Sequence, residues 1–355
     1  MPDRFSSQRP HWISSLVFLV LGAAVGAISY RVWDLHHQSA TTATPSSMHR
    51  AGQNDLTDPL LDCETETKSD DTSFAPLESE IQQTIDKETS ANNASHVSVY
   101  FRSMNGGRWV GINENDQYIG ASLIKLPVAL AYYKLIGNGV GTLQDKITDN
   151  IDQPIASQNI PPAQTIVKGE SYTVDDLITR MLKYSDNASM SVLASNISDA
   201  DIDSVFTDLG ITPQRDDQNN SLISPKNYSD FFRVLYNATY FSKQASENLL
   251  KIMSQADFKD GLVAGVPDGT TVAHKFGERT ETDQNGVVTD TELHDCGIVY
   301  YPKHPYFLCV MSKGQSETAL EGVISDISKT TYGFVDEYWK KNGTSATAAT
   351  STASK

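Results

Sequence analysis

Cysteine is scarce, with Cys63, Cys296 and Cys309 the only three in 355 residues. That number excludes a disulfide-stapled small scaffold and a cysteine-rich zinc site. The eight histidines show no paired ligand spacing apart from His36-His37, so no metal and no other cofactor is expected. Positive charge is also in short supply: 28 Lys and Arg face 44 Asp and Glu, for a formal net charge of -16. This balance argues against nucleic acid or an anionic membrane surface as the main partner and suits solubility. Long apolar runs are missing except one near the N-terminus, and no internal repeat is visible. The length allows one large domain with tails, ample for a buried core.

The one apolar run extends from Ile13 to about Tyr30 and follows a short segment carrying Arg4 and Arg9. It is close to the roughly 20 residues a membrane-spanning helix needs. The basic flank predicts a cytoplasmic N-terminus (residues 1–12), a signal anchor (13–30) and an exported remainder in a single-pass bacterial membrane protein. A signal peptide cut near Val25-Gly26-Ala27 is the rival, and it would make the protein secreted. Residues 31–73 are rich in Ser, Thr and acids, including Asp55, Asp58, Asp62, Glu64 and Glu66. They are expected to form a disordered acidic spacer. Residues 343–355, mostly Thr, Ser and Ala, are expected to form a disordered tail.

Between them, Leu77–Thr89 has the period of an amphipathic helix. His96–Phe101 and Arg108–Ile112 read as strands joined at Asn105-Gly106-Gly107. A helix begins near Ser122 and runs to about Ile136. Thr173 with Asp176 suggests a variant capping box, and Ser224-Pro225 an N-cap followed by proline at the first helical position. Further helices are expected at Asn187–Asn196, Ala200–Asp208 and Ser246–Gln255. Thr270–Lys275, Asp295–Tyr301 and Tyr306–Ser312 read as strands, and Ala319–Lys340 as a closing helix. The polar stretch from Glu278 to His294 reads as a long loop, either an insertion or an overhanging hairpin. Strands at both ends with helices between them predict an α+β fold: an antiparallel sheet flanked by helices, with an inserted all-helical lobe and a cleft between the two.

The chemistry centres on Gly120-Ala121-Ser122-Leu123-Ile124-Lys125, which sets a hydroxyl and an amine one helical turn apart. An unassisted serine is a poor nucleophile. A lysine desolvated by Leu123, Leu126 and Val128 loses its proton more easily and can serve as its base. Alone, this spacing is common and uninformative. Tyr184-Ser185-Asp186-Asn187 and His274-Lys275-Phe276-Gly277-Glu278 follow in order. With these three segments, over residues 74–342, the chain resembles the serine β-lactamase and penicillin-binding superfamily, class A β-lactamases in particular. The resemblance implies that Ser122 attacks a carbonyl, Lys125 takes its proton, and Ser185 passes a proton to the leaving amine. Asn187 would hold the substrate's amide side chain, and Lys275 would supply positive charge. The backbone N–H groups of Ser122 and Glu278 would form the oxyanion hole, with Gly277 permitting close approach. The implied partners are β-lactams or peptidoglycan stem peptides, met by a monomer.

Three departures qualify that likeness. Phe276 stands where the family usually has Thr or Ser. The interval 210–223 contains no glutamate, whereas class A enzymes carry one there to position the deacylating water; Asp216 or Asp217 would substitute only if the loop folded inward. Cys296 occupies the strand position of the family's carboxylate-binding Arg, with Arg279 a candidate replacement. The expectation is therefore acylation with doubtful deacylation. A non-hydrolytic cell-wall receptor or acyl trap is the alternative. Cys296 and Cys309 lie opposite each other across the expected hairpin; export permits a disulfide, but two buried thiols are the expected state. Cys63 follows Asp62, which argues against lipidation.

Overall fold

The computed structural model describes residues 56–59, 72–153, 155 and 157–352. The apolar run at 13–30 and Cys63 lie outside them. Among the described residues, no helix is long and apolar enough to cross a membrane.

The core element is a five-stranded antiparallel sheet. Its strands are β1 (His96–Ser103), β2 (Trp109–Ile112), β8 (Val272–Thr282), β9 (Val288–Val299) and β10 (Tyr306–Gly314), in the order β2-β1-β10-β9-β8. Alternation along the strands assigns the two faces. Val97, Val99, Phe101, Leu308 and Val310 join Leu77, Ile81 and Ile85 of helix α1 (Ala75–Ser90) and Leu320, Val323 and Ile327 of helix α8 (Glu317–Thr352) in one core. Tyr100, Phe307, Cys309 and Met311 face a second core shared with the helical lobe. With both faces covered, the strands carry near-continuous apolar runs: six consecutive residues of β1 are buried.

The helical lobe is inserted between β2 and β8. A two-residue strand, β3 (Tyr118–Ile119), leads into a 3-10 turn (Ala121–Ile124) and then helix α2 (Lys125–Gly137). Residues 125–133 of α2 are all buried, which makes this the lobe's central helix. Strands β4 (Lys146–Thr148) and β5 (Ser171–Thr173) pair across a long excursion. Helices α3 (Val174–Lys183), α4 (Asn187–Ala194) and α5 (Asp199–Asp208) follow. A short hairpin, β6 (Gln214–Arg215) and β7 (Ser221–Ile223), pairs back onto β3. Helices α6 (Pro225–Tyr236) and α7 (Lys243–Met253) close the lobe. The side chains of Thr173, Asp186, Ser198, Ser224 and Ser242 cap five of these helices by accepting from first-turn backbone N–H groups. At Thr173 the box is incomplete, since its hydroxyl donates to Asp176. The reciprocal box is at Ser198 and Asp201.

Four expectations need correction, and one open alternative is decided. Ser122 lies in the 3-10 turn, and the α-helix starts at Lys125. Of the two readings left open for Glu278 to His294, the structure shows the hairpin: β8 runs on to Thr282 and β9 starts at Val288. Its outer residues are half-buried or exposed and mostly polar, so their composition hid the strands. Within the expected spacer, residues 56–59 dock on the domain; Thr57 is 2% exposed. Glu247 on α7 accepts from Leu56 N, Thr57 N and Thr57 Oγ1 at 2.9, 3.1 and 3.1 Å. Helix α8 continues through the Ala- and Thr-rich tail to Thr352, because propagating a formed helix is far easier than nucleating one. Finally, Cys296 and Cys309 are joined in a disulfide. Their direct opposition in the β9–β10 register brings the Cα atoms to 3.9 Å.

Candidate active site

Strand β8, the 3-10 turn and the α3–α4 junction converge at the boundary between sheet and lobe. Lys125 Nζ lies 2.8 Å from Ser122 Oγ, 3.0 Å from Ser185 Oγ, 2.5 Å from the Ser185 carbonyl oxygen and 2.7 Å from Asn187 Oδ1. Lys275 Nζ donates to Ser185 Oγ at 2.9 Å and to the Phe276 carbonyl at 2.7 Å. The Ser185 hydroxyl thus stands between two amines, both of them almost fully buried.

Burial governs their ionisation. Desolvation lowers the Lys125 pKa to about 7 against the opposing pull of Asp186 and Glu278. Lys275 is pushed well below the ordinary lysine value by desolvation and by the charge of Lys125. Neither group holds a proton as firmly as a surface lysine, and a neutral amine beside a serine hydroxyl is a competent base.

The backbone around these groups is strained where it aims them. Ala121 and Ser185 are non-glycine residues with φ of 44° and 57°, a conformation costing about 1–2 kcal/mol each. Such strain persists only where the surroundings enforce it. For Ser185 the enforcement comes from Asp186, which is 1% exposed. Its carboxylate accepts from Ala188 N, Ser189 N, Ser189 Oγ and Thr165 Oγ1, fixing the start of α4 and the flanking Ser185 and Asn187. Gly277 sits against the 3-10 turn, where an added Cβ would meet the Gly120 carbonyl at 3.0 Å and Leu123 at 3.2 Å. Only glycine lets β8 come this close.

Ser122, Lys125, Asn187, Glu278 and Arg279 line one cleft with a volume of about 310 Å³. Ser185 and Lys275 lie beneath it, both fully buried. Phe276 stays out of the cleft; its ring stacks on Phe258 at 4.4 Å within the core under α1 and α8. Arg279 reaches the cleft while donating to Glu281. Asp216 does not turn inward. It accepts from Gln218 N, Asn220 N and Asn220 Nδ2, closing its own turn, and its neighbour Asn220 reaches the cleft instead.

One contributor, Gln158, escaped the sequence reading, and the expected Glu278 has a side-chain role beyond its backbone N–H. Gln158 donates from Nε2 to the Ser185 carbonyl at 3.0 Å and accepts from Asn187 N at 3.3 Å. Glu278 Oε1 accepts from Asn159 N at 2.9 Å and Ile160 N at 3.3 Å. No local pattern marks residues 157–160, since their position depends on how the β4–β5 excursion crosses β8.

A two-part α+β fold with a cleft serine backed by a buried Lys-Ser-Lys cluster at the seam defines the serine β-lactamase and penicillin-binding class. The chain belongs to the Beta-lactamase enzyme family, whose profile matches residues 76–335. It is similar to beta-lactamase VEB-1 of Pseudomonas aeruginosa, 25% identical over 271 residues that cover 70% of this chain and 88% of that one. A mutant PBP-A solved as an acyl-enzyme complex with penicillin G shares the fold. Its TM-score is 0.61 and its identity 21%, over 74% of this chain and 97% of that one. A beta-lactamase from Chitinophaga pinensis does so as well, with a TM-score of 0.61 and 22% identity over 71% and 98% of the two chains.

Proposed function

We propose that this protein is a serine hydrolase that forms an acyl-enzyme at Ser122 with β-lactams or D-alanyl peptides of peptidoglycan, and that it acylates faster than it deacylates. The observation carrying this reading is the 2.8 Å approach of a largely deprotonatable Lys125 to the Ser122 hydroxyl. In the first step the neutral amine takes the Ser122 proton as the Oγ–carbonyl carbon bond forms. The N–H groups of Ser122 and Glu278 stabilise the oxyanion. Collapse breaks the carbon–nitrogen bond, and Ser185, hydrogen-bonded to both amines, delivers a proton to the departing nitrogen.

Hydrolysis of the ester needs an oriented water. No glutamate lies between residues 210 and 223, and Asp216 is occupied within its own turn. The acyl-enzyme is therefore long-lived. Residues 13–30 anchor the chain in the cytoplasmic membrane with the catalytic domain outside.

Intact-protein mass spectrometry with benzylpenicillin tests this. The expected result is a penicilloyl adduct on Ser122 that persists for many minutes and is absent from Ser122→Ala. Rapid turnover without a detectable adduct would restore a fast β-lactamase. No adduct and no turnover of penicillin or D-alanyl peptide would leave a non-hydrolytic receptor.

A further inference from the structure

Serine acyl-transfer sites that take anionic donors need positive charge or hydroxyls to hold the anion. In this cleft those elements are dismantled one by one. Position 276 is an aromatic ring packed into the core. Cys296 is fully buried in a disulfide with Cys309. Arg279 is engaged by Glu281, and burial weakens the charge of both site lysines; it also pushes the Glu278 carboxyl up, against the Asn159 and Ile160 N–H groups that favour its charged form.

Into the same cleft β8 places a carboxylate. Glu278 lines the cavity with Ser122, directly after Gly277, and lies within electrostatic reach of Lys125 and Lys275. Its Oε1 holds the backbone of Asn159 and Ile160, while Asn159 Nδ2 donates to Thr280 Oγ1 at 2.7 Å. Since β8 is an edge strand of the sheet, this double latch keeps residues 157–160 beside its open edge and close to the nucleophile. A volume of about 310 Å³ is at the small end for ligand pockets.

Building on the acyl-enzyme reading, we propose that Glu278 is a specificity-determining residue: its carboxylate disfavours acyl donors with an anionic group beside the scissile bond and favours peptides whose corresponding group is amide-capped or carries an amine. Like charges brought together in a partly desolvated cleft are strongly penalised. Glu278 supplies that penalty beside an Arg279 that Glu281 already engages.

The test uses the full chain and two D-alanyl thioester peptides identical except for a terminal carboxylate or carboxamide. The serine ester forms as the carbon–sulfur bond breaks and the thiol leaves, and the mass adduct on Ser122 gives the rate. Wild type is expected to react about tenfold faster with the carboxamide. Glu278→Gln keeps an oxygen for the Asn159 and Ile160 N–H groups, and it should accelerate the carboxylate donor until the two rates agree within about threefold. Faster reaction of wild type with the carboxylate would overturn the inference, and so would an unchanged ratio in a Glu278→Gln protein that melts like wild type. In either case adducts on Ser122 leave the acyl-enzyme reading standing. Absence of adduct with both donors in both proteins would overturn the two together.

Discussion

Lys125 shows how one residue can set both the rate and the stability of this fold. With its proton lost at about 7, acylation should slow about tenfold for each pH unit below that point, because only the neutral amine accepts the serine proton. Lys125→Arg keeps a cation in place but cannot release it, and it should lower the acylation rate by about 10²–10⁴-fold. Stopped-flow labelling across pH 5–9 measures both. The linkage to stability has the same sense as that of a salt-bridged carboxylate, because the native pKa lies below the unfolded one in both cases. The native lysine releases its proton near 7, whereas an unfolded one holds it up to the ordinary value of 10.5. Between these limits the unfolded chain binds more protons, so this group makes the fold more stable as pH rises from 7 towards 10. Chemical denaturation at pH 6.5 and 9 should show that rise in wild type and a smaller one in Lys125→Ala. Ser122, Lys125, Ser185, Asn187 and Lys275 were all readable beforehand, because each sits in a short segment whose local order is itself the signal. The side-chain roles of Gln158 and Glu278 were not, since they arise from a chain crossing that no spacing records.

At the scale of elements, the cap residue of α4 does more than start a helix. Asp186 satisfies two backbone N–H groups and two hydroxyls while separating Ser185 from Asn187. Asp186→Ala should cost about 2 kcal/mol, the upper end for a lost cap, and should slow acylation as well, since it frees the residues on either side. Urea denaturation read beside the labelling rate checks both effects. Helix positions were legible to within a few residues because caps and apolar periods are local; Ser224-Pro225 opens α6 as read. The strands were less so. The outer halves of β8 and β9 carry Thr, Glu and Asp on exposed faces, and their pairing comes from register, not composition. The same register accounts for the misread cysteines: Cys296 and Cys309 are direct cross-strand partners, so register decides which two thiols meet. Alkylation of the denatured, unreduced chain should therefore modify Cys63 alone, and reduction should expose two more thiols. Three alkylated thiols before reduction would contradict the bond.

For the molecule as a whole, packing extends upstream of the family match, which begins with the first helix. Leu56, Thr57 and Asp58 precede α1, yet they are tied to the lobe. Besides the Glu247 contacts, Asp58 N donates to the Tyr236 carbonyl at 2.8 Å and the Tyr300 hydroxyl donates to the Leu56 carbonyl at 2.8 Å. These bonds reach α6, α7 and the residue after β9, so one short strap contacts both the lobe and the sheet. Composition assigned it to the spacer because its neighbours are acidic and polar; the deciding feature is a single acceptor, Glu247, nearly two hundred residues away in sequence. Removing that acceptor leaves two backbone N–H groups and a threonine hydroxyl without their partner, a loss on the order of 1–3 kcal/mol, felt locally. Glu247→Ala should accordingly raise the rate of limited proteolysis near Leu56 about tenfold or more. The Ser122 labelling rate should stay as in wild type, because α7 contributes nothing to the cleft. Unchanged protection in that variant would mean that the Tyr236 and Tyr300 contacts hold the strap by themselves. A loss of labelling would mean that the strap supports the seam between sheet and lobe on which the serine and both lysines depend.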